Sequence, residues 1–174
     1  MATKVIELVN NGTLSVEKKY GMTYKEFAKD HLFASKPVVI GDACKDWKAK
    51  DKFTPDFFKS EYGSRKVKVQ GKHYKLEDFI DLMENATIEN PAPYACKLQI
   101  DRDYPELLPD ISPRFKFSMP DWCHNILVKP FLLSAETYEI FFGSPGGQFP
   151  YVHYDYMGLH AFITQIHGVK EFTV

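Results

Sequence analysis

The sequence predicts an α+β domain, mainly β with flanking helices, on three observations. Apolar and polar residues alternate in short runs, most plainly in Arg65-Lys66-Val67-Lys68-Val69, and a period of two marks a half-buried strand. Aromatic residues make up 15% of the chain, with 14 Phe and 10 Tyr, a composition suited to cross-strand packing in a β-rich core. Between these runs lie capped segments with apolar residues at helical spacing.

Taken in order, residues 1–35 read as two helical segments. The first carries Val5, Ile6, Leu8 and Val9 and ends at Asn11-Gly12; the second opens on Thr23-x-x-Glu26, a capping box, before Phe27 and Leu32. Residues 37–40, Pro-Val-Val-Ile, read as a buried strand closed by Gly41-Asp42, with Asp46-Trp47 in the loop beyond. Thr54-Pro55 supplies an N-cap and a proline at the first helical position, so residues 56–62 form a short helix stopped at Gly63. Val67 and Val69 point inward from the next strand. Residues 65–75 hold five Lys and Arg, a run that reads as lysines guarding an edge strand in preference to a polyanion site.

Leu76, Phe79, Ile80 and Met83 recur at helical intervals with acids between them, which predicts an amphipathic helix against the core. Residues 94–100 read as a strand, residues 104–109 as a proline-bounded helical turn, and the segment to Trp122 as irregular. Residues 136–174 read as consecutive strands, with the Gly/Pro-rich turn Phe142-Gly143-Ser144-Pro145-Gly146-Gly147-Gln148 delivering the chain into the strand of His153. That turn lacks the lysine and spacing of a phosphate-binding loop.

At 174 residues the chain is one domain's worth, able to bury roughly 70% of its unfolded surface. Its 22 basic and 23 acidic residues balance, which gives no reason to expect nucleic acid or an anionic membrane as partner. The longest apolar run, residues 126–133, is broken by Lys129-Pro130, and the N-terminus has no signal-like apolar stretch. These features predict a soluble, intracellular protein, cytoplasmic with a nuclear location left open. Cys44, Cys96 and Cys123 are far apart and form no CxxC, which fits free thiols in a reducing compartment.

The chemistry collects at His153-Tyr154-Asp155. On a strand, residues two apart face the same way, so His153 and Asp155 can offer an imidazole and a carboxylate to one metal ion, with Tyr154 on the other side. With one more imidazole, that set is the facial triad of non-haem Fe(II), which leaves open coordination positions. Lys170 follows on the next strand after Gly168. It is either a solvated lysine after a turn or a fixed charge for the far carboxylate of a bound diacid.

The Gly-containing turn, HYD, the aromatic-aliphatic strand and the Gly-x-Lys step resemble the JmjC and cupin-like Fe(II)- and 2-oxoglutarate-dependent oxygenases. That group includes the asparaginyl hydroxylase acting on hypoxia-inducible factor and the jumonji-domain lysyl hydroxylases. KPVVIGDACKDW, the TPDFF helix and the LEDFIDLM helix extend the resemblance over about residues 33–174. It implies a double-stranded β-helix of jelly-roll type, with residues 1–130 packed on the barrel and residues 131–174 forming its first core strands. It further implies Fe(II) held by His153 and Asp155, 2-oxoglutarate paired with Lys170, O2 as cosubstrate, and a protein or peptide side chain as the group hydroxylated.

Two departures from the pattern stand out. The family's second iron-binding His comes from a later strand, and this sequence ends at Val174, so the C-terminal barrel strands are expected to be missing and the chain to be a fragment. His160 and His167 on the next strand, and His124 before it, are weak substitutes; His31 and His73 carry no signal. The hydroxyl that some members place before the HxD His has no counterpart in residues 149–152, so Tyr151 and Tyr138 are the candidates for a second diacid contact. The rival to an enzyme is a cupin-like module that binds a metal or a small acid without turnover, or acts as an interaction surface. Hydrolysis with His153 as base ranks last, because no GxSxG is present. The sequence leaves the oligomeric state open.

Overall fold

In a computed structural model of the chain, the structure describes residues 15–118, 127, 138–149, 151, 153, 155 and 160–172. Strand β1 (Lys18–Lys19) pairs in parallel with β2 (Val39–Ile40), so the expected strand at 37–40 contracts to two residues. Thr23 caps helix α1 (Tyr24–Phe27): its Oγ1 accepts the Glu26 N–H at 3.2 Å, and the Glu26 carboxylate accepts the Thr23 N–H at 2.8 Å. The helix widens into a π-helical turn over Ala28–Leu32. Phe27 leaves this segment to pack on Phe117 and Phe162, at ring separations of 5.1 and 5.9 Å.

Helix α2 (Ala49–Lys52) precedes α3 (Pro55–Tyr62). Thr54 Oγ1 accepts the Phe57 N–H at 3.1 Å, satisfying one of the donors that a helix start leaves free. Strands β3 (Lys66–Val69) and β4 (Lys72–Lys75) form an antiparallel hairpin. Its two-residue turn, Gln70-Gly71, has φ of 47° and 83°, the positive pair that a type I′ turn requires. Helix α4 (Leu76–Glu84) follows and buries Leu76, Phe79, Ile80 and Met83 on one face.

Strand β5 (Cys96–Gln99) pairs antiparallel with β6 (Glu139–Phe142), Cys96 opposite Phe142 and Gln99 opposite Glu139. The strand expected to run to residue 100 stops one residue earlier, because Ile100 opens the helical turn α5 (Ile100–Asp103). The predicted helical turn after Tyr104 is a 3₁₀ segment over Pro105–Ile111, and a shorter one covers Lys116–Ser118. The main core gathers Trp47, Phe53, Phe58, Val67, Val69, the α4 residues, Cys96, Leu98, Leu107 and Phe142.

The described residues thus give small two-stranded sheets with helices packed on them, an α+β arrangement. They do not close into a jelly roll, and the described residues between 143 and 172 contain no strand. Alternation specifies which side chains share a face, but a strand also needs a ladder partner, and β6 finds only β5 among the described residues. The segment after residue 160 is held by side chains instead: Phe162 packs on Phe115 at 5.8 Å, Ile166 touches the core, and Cys44 Sγ lies 3.4 Å from Thr164 Oγ1. The expected first helix, the break at Lys129-Pro130, His124 and Cys123 lie outside the described residues. No helix among those described is long and apolar enough to cross a membrane.

Two predictions follow from this core. Phe79 is fully buried, so Phe79→Ala should cost about 3–5 kcal/mol in urea unfolding, against under about 0.5 kcal/mol for Phe33→Ala on the exposed surface. Cys96 is buried and its thiol is pushed up to about 12 from an ordinary 9.0 by desolvation. Above pH 9 the unfolded thiol loses its proton while the folded one keeps it, so the thiol's contribution is full below pH 9 and falls as pH rises toward 12, by up to about 1.4 kcal/mol per pH unit. Urea midpoints at pH 8 and 10.5 should drop further for the wild type than for Cys96→Ala.

Candidate metal and diacid site

The chain reverses after β6 through Gly143-Ser144-Pro145-Gly146-Gly147, with Gly147 N–H bonded to Ser144 C=O at 3.0 Å. Ser144 Oγ accepts the Ala92 N–H at 2.9 Å, which ties the turn to the segment leading into β5. The approach is close enough that a Cβ on Gly143 would lie 2.9 Å from the Tyr94 ring. The start of β5 and the exit of β6 are therefore adjacent, and Tyr94 stands between the turn and the segment that follows it.

Tyr94 is the residue that sequence reasoning missed, and it organises the site. Lys170 Nζ donates to Tyr94 Oη at 2.9 Å, and its ammonium also lies 5.1 Å from the Phe172 ring centroid. Tyr94 meets Phe149 edge to face at 5.3 Å, and Phe149 meets the His153 ring at 5.1 Å. His153 Nε2 lies 3.9 Å from Asp155 Oδ1, and His153 Nδ1 is 3.4 Å from Tyr151 C=O. A line of contacts thus runs from Lys170 through Tyr94 and Phe149 to the His153 and Asp155 pair.

The imidazole and the carboxylate are open to solvent, 41% and 49% exposed, although neither residue is in a strand. Tyr151 joins them, its ring 5.7 Å from that of His153. Tyr138 sits at the other end of β6, packed against the core, with the Arg114 guanidinium 5.5 Å from its ring and its C=O accepting the Ile100 N–H at 2.8 Å. Lys170 is half-buried, and no carboxylate pairs with it among the described residues. Other lysines are compensated: Lys52 by Asp110 at 2.6 Å, Lys97 by Glu139 at 2.7 Å, and Lys59 by Asp81.

The donor chemistry of His153 and Asp155 fits two positions of a non-haem Fe(II) site. Among the described residues no third His, Cys, Asp or Glu completes a metal-binding group, and His160 and His167 are exposed away from the pair. Two recesses of the described surface, one beside Lys19, Glu26 and Asp30 and one beside Lys66, His73 and Asp78, are not lined by His153, Asp155 or Lys170. Exposed aromatic side chains, Phe149 and Tyr151, surround the His153 and Asp155 pair.

Three small two-stranded sheets with packed helices make this an α+β domain, with an imidazole and a carboxylate joined to a lysine through a line of aromatic contacts. The chain belongs to the cupin-like domain family, which matches residues 24–174. No curated protein matches it.

Tyr94 separates two contributions that a double substitution would merge. Tyr94→Phe keeps the ring against Phe149 and Gly143 and removes only the bond to Lys170, which should cost about 1 kcal/mol or less. Tyr94→Ala also removes the ring packing and should cost about 2 kcal/mol or more in urea unfolding.

Proposed function

We propose that this chain is a Fe(II)- and 2-oxoglutarate-dependent oxygenase that hydroxylates a protein side chain, releasing succinate and CO2. The family includes Fe(II)- and 2-oxoglutarate-dependent oxygenases. The observation that carries the reading is the half-buried ammonium of Lys170, held by a phenol and an aromatic face with no carboxylate paired to it among the described residues, in the same contact line as His153 and Asp155.

In this reading neutral His153 offers Nε2 and Asp155 offers Oδ1 as metal ligands. Fe(II), when bound, supplies adjacent open positions and the redox chemistry that couples decarboxylation of the keto acid to oxygen insertion into a C–H bond. Lys170 gives its bond to Tyr94 through one N–H and keeps two others for the far carboxylate of the diacid. Tyr94, already accepting from Lys170, retains its O–H to donate to the same carboxylate. A charged and a neutral donor side by side fix both the position and the orientation of that group. Phe149 and Tyr151 place aromatic rings beside the His153 imidazole. The role thus moves from Tyr138 to Tyr94, with Tyr151 beside the metal pair.

A protein substrate suits the openness of the site. Tyr151 and Phe149, 68% and 47% exposed, flank His153, and exposed aromatic residues beside a reactive centre are contacts for a peptide. A second reading is favoured by one observation: the described residues provide two metal ligands and no third. A module with that site binds a metal or a diacid without turnover.

Anaerobic titration with Fe(II) and then 2-oxoglutarate should produce a visible charge-transfer band in the wild type. His153→Ala should abolish it, and Lys170→Ala and Tyr94→Phe should raise the 2-oxoglutarate concentration needed, by about tenfold or more for the lysine. The absence of a band with intact folding would overturn the proposal. A band without succinate formation would establish the binding module.

A further inference from the structure

We propose that the free edge of the β3–β4 hairpin docks an acidic, extended peptide segment as an added strand. The observation is a conflict in the hairpin's own register. Lys66 stands opposite Lys75, and Lys68 opposite His73. Directly opposed residues share a sheet face, and like charges there destabilise the pair. Val67 and Val69 are buried on the inner face, so Lys66, Lys68, His73 and Lys75 make up the outer one, and all four are exposed. Glu77 pairs with Lys75 at 3.1 Å, whereas Lys66 and Lys68 have no ion pair among the described residues. Lys66 and Lys68 therefore carry positive charge that no ion pair among the described residues offsets, while Glu77 and Asp78 lie beside Lys75.

The backbone shows how a partner would fit. Leu76 N–H bonds to Arg65 C=O at 2.8 Å at the base of the hairpin. Hydrogen-bonded and non-hydrogen-bonded pairs alternate along an antiparallel ladder, so residues 67 with 74 and 69 with 72 bond each other directly. The N–H and C=O of His73 and the N–H of Lys75 then point away from β3 with no strand paired to them among the described residues, whereas the Lys75 C=O, at the N-cap of α4, is taken up by the helix start. That row is a template for strand addition. Lysines on such an edge repel neutral and basic chains; the same lysines attract an acidic one.

An added strand would place every second side chain on the face of Lys66, Lys68, His73 and Lys75, where carboxylates would relieve the cation repulsion. The shallow recess bounded by Lys66, His73, Tyr74, Lys75 and Asp78 adjoins this edge. A nucleic acid fits less well. Each strand has four residues and spans only about 10–13 Å, and the cationic face offers no aromatic platform for base stacking, Tyr74 lying opposite Val67 on the inner side.

The test is fluorescence anisotropy on the full chain with a labelled peptide of alternating Glu and Val. Binding should weaken about tenfold on going from about 0.05 to 0.3 M salt. It should be lost in Lys66→Glu/Lys68→Glu, a surface variant whose folding is checked by urea unfolding. The same peptide methylated on alternate backbone nitrogens should also fail to bind, because the edge bonds require those N–H groups. Equal binding of a Lys-Val counterpart, equal binding of the methylated peptide, or tighter binding of an oligouridylate of matched charge would each overturn the proposal. Charge attraction without strand addition, or a nucleic-acid surface, would then be the correct description.

Discussion

The pairing of β5 with β6 is the constraint on which the other parts depend. It joins residues about forty positions apart along the chain, and the Ile100 N–H bond to Tyr138 C=O at 2.8 Å lengthens it by one rung. Such a short two-stranded ladder is marginal in water by itself. It persists because Cys96, Leu98 and Phe142 lie on its inner face against the core, with Phe142 edge-on to Phe58 at 5.1 Å. The same pairing brings Tyr94, just before β5, beside Gly143, just after β6. The site is therefore a consequence of core packing: helix α3 positions Phe58, Phe58 seats Phe142, and the register carries that order to Tyr94.

Around this ladder the contacts are mostly aromatic and only locally ionic. Arg65 shows the pattern. Its guanidinium lies 5.0 Å from the Tyr62 ring and 4.4 Å from the Tyr104 ring, donates to Asp103 C=O at 2.6 Å and meets Glu106 at 3.3 Å. An exposed ion pair contributes little by itself, whereas a planar guanidinium stacked on two rings also excludes water from their faces. This arrangement links the end of α3, the residue before β3 and the 3₁₀ segment.

The elements that could be read from sequence are those decided by neighbours in the chain. Thr23 and Glu26 cap each other locally, Thr54 and Pro55 specify a helix start, and Leu76, Phe79, Ile80 and Met83 state their buried face by spacing alone. The β3–β4 hairpin was harder to see, since Gln70-Gly71 is a weaker turn signal than Asn-Gly, and its five basic residues drew attention to charge. Alternation across residues 151–172 predicts strands but says nothing about whether a ladder partner is present, and the described residues of this stretch form none. Tyr94 could not be found locally, because it lies 76 residues from Lys170, and nothing in the sequence distinguishes it from the other tyrosines. His153, Asp155 and Lys170 were visible for the opposite reason: their residue types and short spacing state a chemistry before any fold is known.

Two groups of lysines set the electrostatic character of the described surface. Most exposed ammonium groups in ion pairs are neutralised by an adjacent acid, as Lys59 is by Asp81 and Lys97 by Glu139. Lys170 and the outer face of the hairpin differ from these in opposite ways. Lys170 is half-buried beside a phenol and aromatic rings, so an anion that reaches it meets a directed charge in partly dry surroundings, where one interaction has a large effect. Lys66 and Lys68 are exposed to water, so each attracts weakly and salt screens it. Only a partner that engages several such charges at once gains appreciably. On the proposed readings, the first environment would favour a small anion by geometry, and the second an extended chain by charge pattern, with the sheet edge beside it offering the directional bonds that lysines alone lack.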